Sequence, residues 1–378
     1  MPGCRWGRHV AALGVAALLG GCGRPAPVPI TVTPEVQALH DRAFVADLHM
    51  DPLMHHRDLQ RQSDAGDTDV PRLRQAGVDL ACFGIVTEPV PIFGELGIRF
   101  GAWLWGWPPE YRDSPLGRAL GQLDELDALA IADPEVRLVR TRSDLADARA
   151  QRALGVIALL EGAKVFADDP SAVRRFWERG VRVVGLTHLR DNALGSSGSP
   201  AVPIVDWYLG SDHGLTDDGR RVLRDMAQFG YIVDLAHASP RTFDDILAAW
   251  AGPVIVSHAA TAALHPGTRN LTDDQLRAVA ARGGVVGIMI ATNFLGSDHL
   301  SALADHLVHA VRVAGVDHVS LGLDLDGMVT LPVEFHDVRD LPKVTQLLRD
   351  RGLTPEEVEQ VLGLNALRFF DAALAPAA

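Results

Sequence analysis

The chain has 378 residues, enough for one large barrel or two ordinary domains, and 47% of them are hydrophobic, which supplies a substantial core. Charged residues at 22% argue against disorder. A net charge of −13 without basic runs argues against a nucleic-acid partner.

The first elements are not part of a fold. Arg5 and Arg8 form a basic start, and Val10 to Gly21 is apolar, small and too short to span a bilayer as a helix. It ends in Leu19-Gly20-Gly21-Cys22, which resembles a lipobox. Cleavage would occur before Cys22, whose thiol would carry a lipid. An ordinary cleaved signal peptide with an incidental cysteine is the alternative. Residues 1–21 are thus expected to be a lipoprotein signal peptide, 22–38 a lipidated cysteine with a Pro/Gly-rich tether, and 39–378 the folded domain. The expected location is the cell or outer membrane, facing the periplasm or exterior. Only Cys82 then remains, so the mature domain has no internal disulfide to offer.

Eight short apolar runs follow: Phe44–Leu48, Val78–Val86, Gly155–Leu160, Val181–Thr187, Tyr231–Leu235, Pro253–Ser257, Gly284–Ile290 and His318–Leu323. Most are continuous rather than alternating, as strands buried on both faces should be. Helix-like segments separate them: Asp69–Gln75, Leu116–Ala130, Ser143–Arg152, Ser171–Glu178, Thr216–Gln228, Arg241–Trp250, Thr272–Arg282 and Ser301–Ala314. Ser143, Thr216 and Thr272 read as helix starts. This alternation predicts a single-domain α/β fold, a (β/α)8 TIM-like barrel, with a doubly wound sheet as the alternative. The segments Pro342–Arg351 and Thr354–Phe370 are expected to be C-terminal helices that close the barrel. An insertion after the second strand, Ile92 to Pro109, carries Trp103, Trp105 and Trp107. A lid, a pocket wall, a dimer surface, a membrane-contacting loop and a plain packed loop are all compatible with it.

Six of the eight runs end in His, Asp or Glu: His49 and Asp51, Glu161, His188, Asp234 and His237, His258, Asp324 and Asp326. Each ending alone is a common accident. Together, at the catalytic end of a barrel, they are costly to bury unless cations offset them. Imidazole with carboxylate suits Zn²⁺, ahead of Mn²⁺, Fe²⁺ or Co²⁺. His49 and Asp51 share one side of an extended chain and can grip one ion, His237 and His258 a second, and Glu161 can bridge both. Two such ions would activate a shared water, and Asp324 is placed to take its proton. Asp234 reads as an orienting residue and Asp326 as a turn residue beside Gly327. Lys164, three residues past Glu161, is a weaker bridge than that glutamate.

These residues resemble the membrane dipeptidases, also called renal dipeptidases, over about residues 40 to 370. The resemblance rests on His49-Met50-Asp51-Pro52, Leu160-Glu161-Gly162, Leu186-Thr187-His188 with Asp191-Asn192, Val233-Asp234-Leu235-Ala236-His237, Pro253-Val254-Ile255-Val256-Ser257-His258, Arg269-Asn270 with Asp273, and Gly322 to Gly327. It implies two Zn²⁺, one held by His49, Asp51 and Glu161, the other by Glu161, His237 and His258. It implies that His188 contacts substrate and the oxyanion, that Arg269 pairs with a dipeptide's carboxylate with Asn270 beside it, and that Asp324 is the acid/base. It allows D-residues at the C-terminal position, β-lactam-like amides and a homodimer. Ala236 and Met50 depart from the family's common serine and small polar residue without removing a ligand. Ester or lactone hydrolysis and a non-catalytic binding lipoprotein are the rival readings.

Overall fold

In a computed structural model, residues 24–88, 94–198 and 212–376 are described. The lipobox-like segment, Cys4 and Cys22 lie outside them, as do residues 92 and 93 of the expected insertion. Among the described residues nine strands form: β1 Val45–Met50, β2 Val78–Val86, β3 Val136–Leu138, β4 Leu154–Glu161, β5 Val181–Gly185, β6 Ile232–Asp234, β7 Val254–Ala259, β8 Val285–Ile288 and β9 Val319–Leu321. Every pairing between these strands is parallel. The order β2-β1-β9-β8-β7-β6-β5-β4 is closed by β2 pairing with β4, which makes an eight-stranded ring. This is the expected barrel and excludes the open sheet. Strand β3 was not foreseen. It is three residues long and adds to β4 beside the ring.

The apolar runs become strands because both faces are covered. One side chain set, including Ala46, Leu48, Leu80, Cys82, Ile157, Leu159, Val183, Ile232, Ile255 and Val285, fills the barrel axis. The alternate set packs outward on the helices. Phe369, Phe370 and Leu374 join the axial set, so the C-terminal helix Asn365–Ala373 plugs the barrel floor. Along β4, Ile157 and Leu159 are followed at the same two-residue period by Glu161. The face that packs the axis below thus carries the acid into the mouth above.

Helix starts follow side-chain capping. Thr216 and Thr272 cap as expected, but Thr141, not Ser143, caps Arg142–Gln151, in a box with Asp144. The boundary expected at residue 39 is corrected. Thr33 caps a helix Pro34–Arg42, whose His40 bonds to Thr345 Oγ1 at 2.7 Å, so the fold begins within the supposed tether. The insertion is not a plain loop either, since it holds a helix Gly94–Leu104. Trp107 is buried and donates to Met54 O at 3.0 Å, Trp105 meets His55 edge-on, and Trp103 is exposed.

Candidate metal centre and active site

The rim above the C-terminal strand ends gathers the expected side chains. Glu161 is their hub. Its Oε1 lies 3.1 Å from His237 Nε2, 3.5 Å from His49 Nε2 and 3.6 Å from His258 Nε2, and its Oε2 lies 3.4 Å from His188 Nε2. His49 Nε2 is also 3.3 Å from Asp51 Oδ1 and 3.8 Å from Asp324 Oδ1. The Nε2 atoms of His237 and His258 face each other at 2.9 Å, and the rings of His49 and His258 stack with centroids 3.9 Å apart.

The backbone departs from regular strand where it aims these groups. Strand registers shift between Asp47 and Met50 and between Val256 and Ala259, so His49 and His258 both sit in irregularities. His237 and Asp324 adopt left-handed φ of 63° and 65°, which turns their side chains off the strand direction. Non-glycine residues rarely accept this, and such strain concentrates at functional sites. Asp324 N donates to His49 O at 2.9 Å, and Asp47 Oδ1 accepts from His49 N and Leu323 N. The two strand ends that carry His49 and Asp324 are therefore tied together.

Among the described residues, three triads bring ligand-capable atoms within 4.8 Å of one another: His49, Glu161 and His258; Glu161, His188 and His237; His49, Asp51 and Asp324. The five expected metal positions converge, and two further side chains stand with them. Asp324, expected only as acid/base, stands among the donors with His49 and Asp51. His188, expected beside substrate, joins Glu161 and His237. His49 Nε2, Asp51 Oδ1 and Glu161 Oε2 are buried with no hydrogen-bond partner. Unpaired buried donors and acceptors are expensive, so orphans crowded within a few ångströms of one another fit bound cations.

The electrostatics agree. Burial drives Glu161 well above its usual range, and Asp324 rises to about 8 through burial and the nearby Asp51, against the pull of His49. Burial opposes charge on His49, but Asp51, Glu161 and Asp324 outweigh it and hold its pKa up to about 10. Burial depresses His188 to about 4 and holds His237 and His258 well below the ordinary imidazole value. Three imidazoles kept neutral, with His49 and two carboxyls that would give up their protons to a cation, form a donor set for metal ions.

Arg269 sits in the connection after β7, which returns on itself where Leu271 N donates to Ala260 O at 2.9 Å. Its Nη2 donates to His258 O at 2.7 Å, while Nε is buried without a partner. Burial lowers its pKa to about 10, with Asp324, Asp234 and Glu161 opposing. Asn270, expected beside substrate, commits Nδ2 to His265 O and Phe294 O and so holds the loop that presents Arg269. Asp234 accepts from Ser257 as described below, and Asp326 accepts from Thr68 and Arg57 in a buried turn. Lys164 instead pairs with Asp168 on the surface, which removes it as a bridge.

Sequence reasoning missed the glycines that make room. A Cβ on Gly84 would lie 1.9 Å from Asp51 Oδ1, and one on Gly327 would lie 2.1 Å from Asp324 Oδ1. Gly287 and Gly322 would each strike Ser257 O, at 2.0 and 1.9 Å. The available signal was a lone glycine inside the apolar run Val78–Val86, a common mark of close approach.

A parallel (β/α)8 barrel with imidazoles and carboxylates crowded at its C-terminal rim defines a metal-dependent hydrolase of the amidohydrolase type. Its particular place is given by its relatives: the profile of the membrane dipeptidase family (peptidase family M19) matches residues 33–377, and the chain belongs to that family. It is 31% identical over 322 residues to the dipeptidase ataJ of Aspergillus terreus, covering 80% of this chain and 76% of that one. A metallopeptidase of Rhodobacter sphaeroides, solved with a phosphinate mimic of the dipeptide L-Ala-D-Ala, superposes with a TM-score of 0.75 at 26% identity, over 88% of this chain and 99% of that one. Dipeptidase AC, an M19 metallopeptidase, gives 0.75 at 25% identity over the same shares. The chain is thus a metallodipeptidase.

Proposed function

We propose that this chain hydrolyses dipeptides, including those with a C-terminal D-residue, using two Zn²⁺ ions, and that it does so as an exported lipoprotein anchored through Cys22. The observation that carries the two-ion reading is Glu161, whose two carboxylate oxygens face four imidazoles from four strand ends. With Glu161 shared, His49 and Asp51 would hold one ion and His237 and His258 the other, with Asp324 and His188 standing beside them. When bound, the ions would supply Lewis acidity toward the scissile carbonyl and lower the pKa of the attacking water.

The remaining work falls to this chain's own groups. Arg269 offers its unpaired Nε edge to the dipeptide's carboxylate, and a planar guanidinium suits that partner. A clamp at fixed distance from the hub favours dipeptides over longer chains. Asp324 takes the proton of the attacking water and returns it to the leaving amine, a role open to a buried carboxylate beside the hub. His188, held neutral, donates a hydrogen bond toward the carbonyl oxygen as negative charge develops there.

The test pairs elemental analysis with L-Ala-L-Ala and L-Ala-D-Ala turnover, with and without chelator. Two zinc per chain and chelator-sensitive hydrolysis of both are expected. Turnover indifferent to metal removal would refute the reading. Arg269→Ala should depress dipeptide hydrolysis while barely changing that of a simple ester without a carboxylate.

A further inference from the structure

The segment ahead of the first helix is not a free tether. Arg24 donates to Leu331 O, Val28 N donates to Glu334 Oε1 at 2.8 Å, and Thr33 N donates to Gln346 Oε1 at 3.0 Å. Ile30 packs against the outer core. Leu331 and Glu334 belong to the connection that follows β9, so they lie at the catalytic rim. The helix Pro34–Arg42 leads into the N-terminal end of β1, at the barrel floor. Residues 24–42 therefore run down the side of the barrel from rim to floor, with Arg24 at the rim.

Cys22 stands two residues before Arg24. Two extended residues reach about 7 Å, whereas a free tether from Cys22 to Pro34 would reach about 40 Å. Docking of the segment thus converts a loose leash into a short one attached beside the active-site mouth.

The exposed apolar side chains gather on the same side. Among the described residues the large ones are Val28, Phe100, Trp103, Ile131, Leu264 and Met328. All but Ile131 belong to the docked segment or to connections that follow strand C-terminal ends. Phe100 and Trp103 are 59% and 56% exposed, and their rings stack with centroids 5.7 Å apart. Their helix is moored to the rim through Trp105, which meets His55, whose Nε2 bonds Asp326 O at 2.7 Å, two residues before Met328. Aromatic rings exposed beside a short lipid attachment match the preferences of the bilayer interface.

We propose that the barrel stands mouth-down on the membrane, with Phe100, Trp103, Met328 and Val28 entering the headgroup layer. This rests on Cys22 being acylated. Substrate then reaches the metal centre laterally, between protein and bilayer, a route open to small soluble peptides and closed to folded proteins.

The test uses the acylated full chain on phosphatidylcholine vesicles whose acyl chains carry bromine, a short-range quencher of indole fluorescence. Quenching is expected in the native chain, with most of it lost in Trp103→Phe and dipeptide turnover the same in both. Aqueous acrylamide should reach Trp103 in the unacylated Cys22→Ser chain but not in the vesicle-bound one. Equal bromolipid quenching in the native and Trp103→Phe chains, with the acyl group confirmed by mass spectrometry, overturns the orientation alone. Absence of the acyl group removes the anchor and the orientation together. Protection of Trp103 that grows with protein concentration without vesicles would assign the patch to a second copy and also overturn the proposal.

Discussion

Ser257 Oγ lies 2.5 Å from Asp234 Oδ2 and 2.9 Å from His258 Nδ1, with His49 Nδ1 at 3.5 Å from the same oxygen. A carboxylate can only accept, so the hydroxyl gives its proton to Asp234 and its lone pairs face the two imidazoles. That arrangement places a proton on His258 Nδ1 and leaves Nε2 open toward Glu161. Asp234 Oδ1 meanwhile accepts from Ala236 N at 2.9 Å and Ser257 N at 2.8 Å, which fixes the carboxylate in place. One hydroxyl thus orients a candidate ligand from each centre.

Asp234→Asn should therefore weaken metal binding although it is isosteric. Its amide nitrogen must face either Ser257 Oγ, which reverses the hydroxyl, or two backbone N–H groups. A loss of about 10–100-fold in zinc affinity is expected, read by chelator competition. The melting temperature of the metal-free variant should stay near that of the metal-free native chain. Native zinc affinity in the variant would sink the argument.

Asp324→Asn tests the proton carrier. Asparagine tolerates the left-handed φ of 65° at this position, so the backbone should survive. Turnover should fall by about 10²–10⁴-fold, with substrate affinity changed far less. The check is kcat at saturating dipeptide on fully metal-loaded protein. A variant within a few-fold of native kcat would assign the proton transfer elsewhere.

Gly84→Ala should damage the centre without unfolding the barrel. The added methyl would meet Asp51 Oδ1 at 1.9 Å, and Asp51 is held on a rigid strand end. The expected result is fewer zinc ions per chain by elemental analysis, with an unchanged far-ultraviolet circular dichroism spectrum. Full zinc occupancy with native turnover would show that Asp51 can move aside freely.

The metal-free chain should lose stability as pH rises. Asp324 at about 8 and His49 at about 10 both bind protons more tightly folded than unfolded. Their stabilisation is whole below the ordinary values of 3.8 and 6.5 and disappears as pH climbs through the folded ones. His188, lowered to about 4 by burial, acts in the opposite direction and loses its contribution as pH falls from 6.5 toward that value. In chelator, the melting temperature should fall between about pH 7 and about pH 9, and added zinc should raise it more at the upper pH. A zinc effect that shrinks with rising pH would contradict the proton–metal exchange.

The barrel and most of its donors were legible in the amino-acid order. Apolar runs of strand length, capping residues and the chemistry of imidazole and carboxylate are local properties, so Val78–Val86 and the helix Ser301–Ala314 fall where the pattern puts them. The placement of His49, Asp51, Glu161, His237 and His258 at strand ends is equally local. What proximity did with them was not. Asp324 joins His49 and Asp51 because its backbone turns left-handed and is bonded to His49 O, and His188 meets Glu161 because β4 and β5 are neighbours. Gly84 has meaning only once Asp51 lies against it, and residues 24–33 became part of the domain only when Glu334 and Gln346 offered acceptors. Side-chain type and periodicity are written residue by residue, whereas clearance, ring closure and the pairing of distant donors depend on atoms that the chain brings together only on folding.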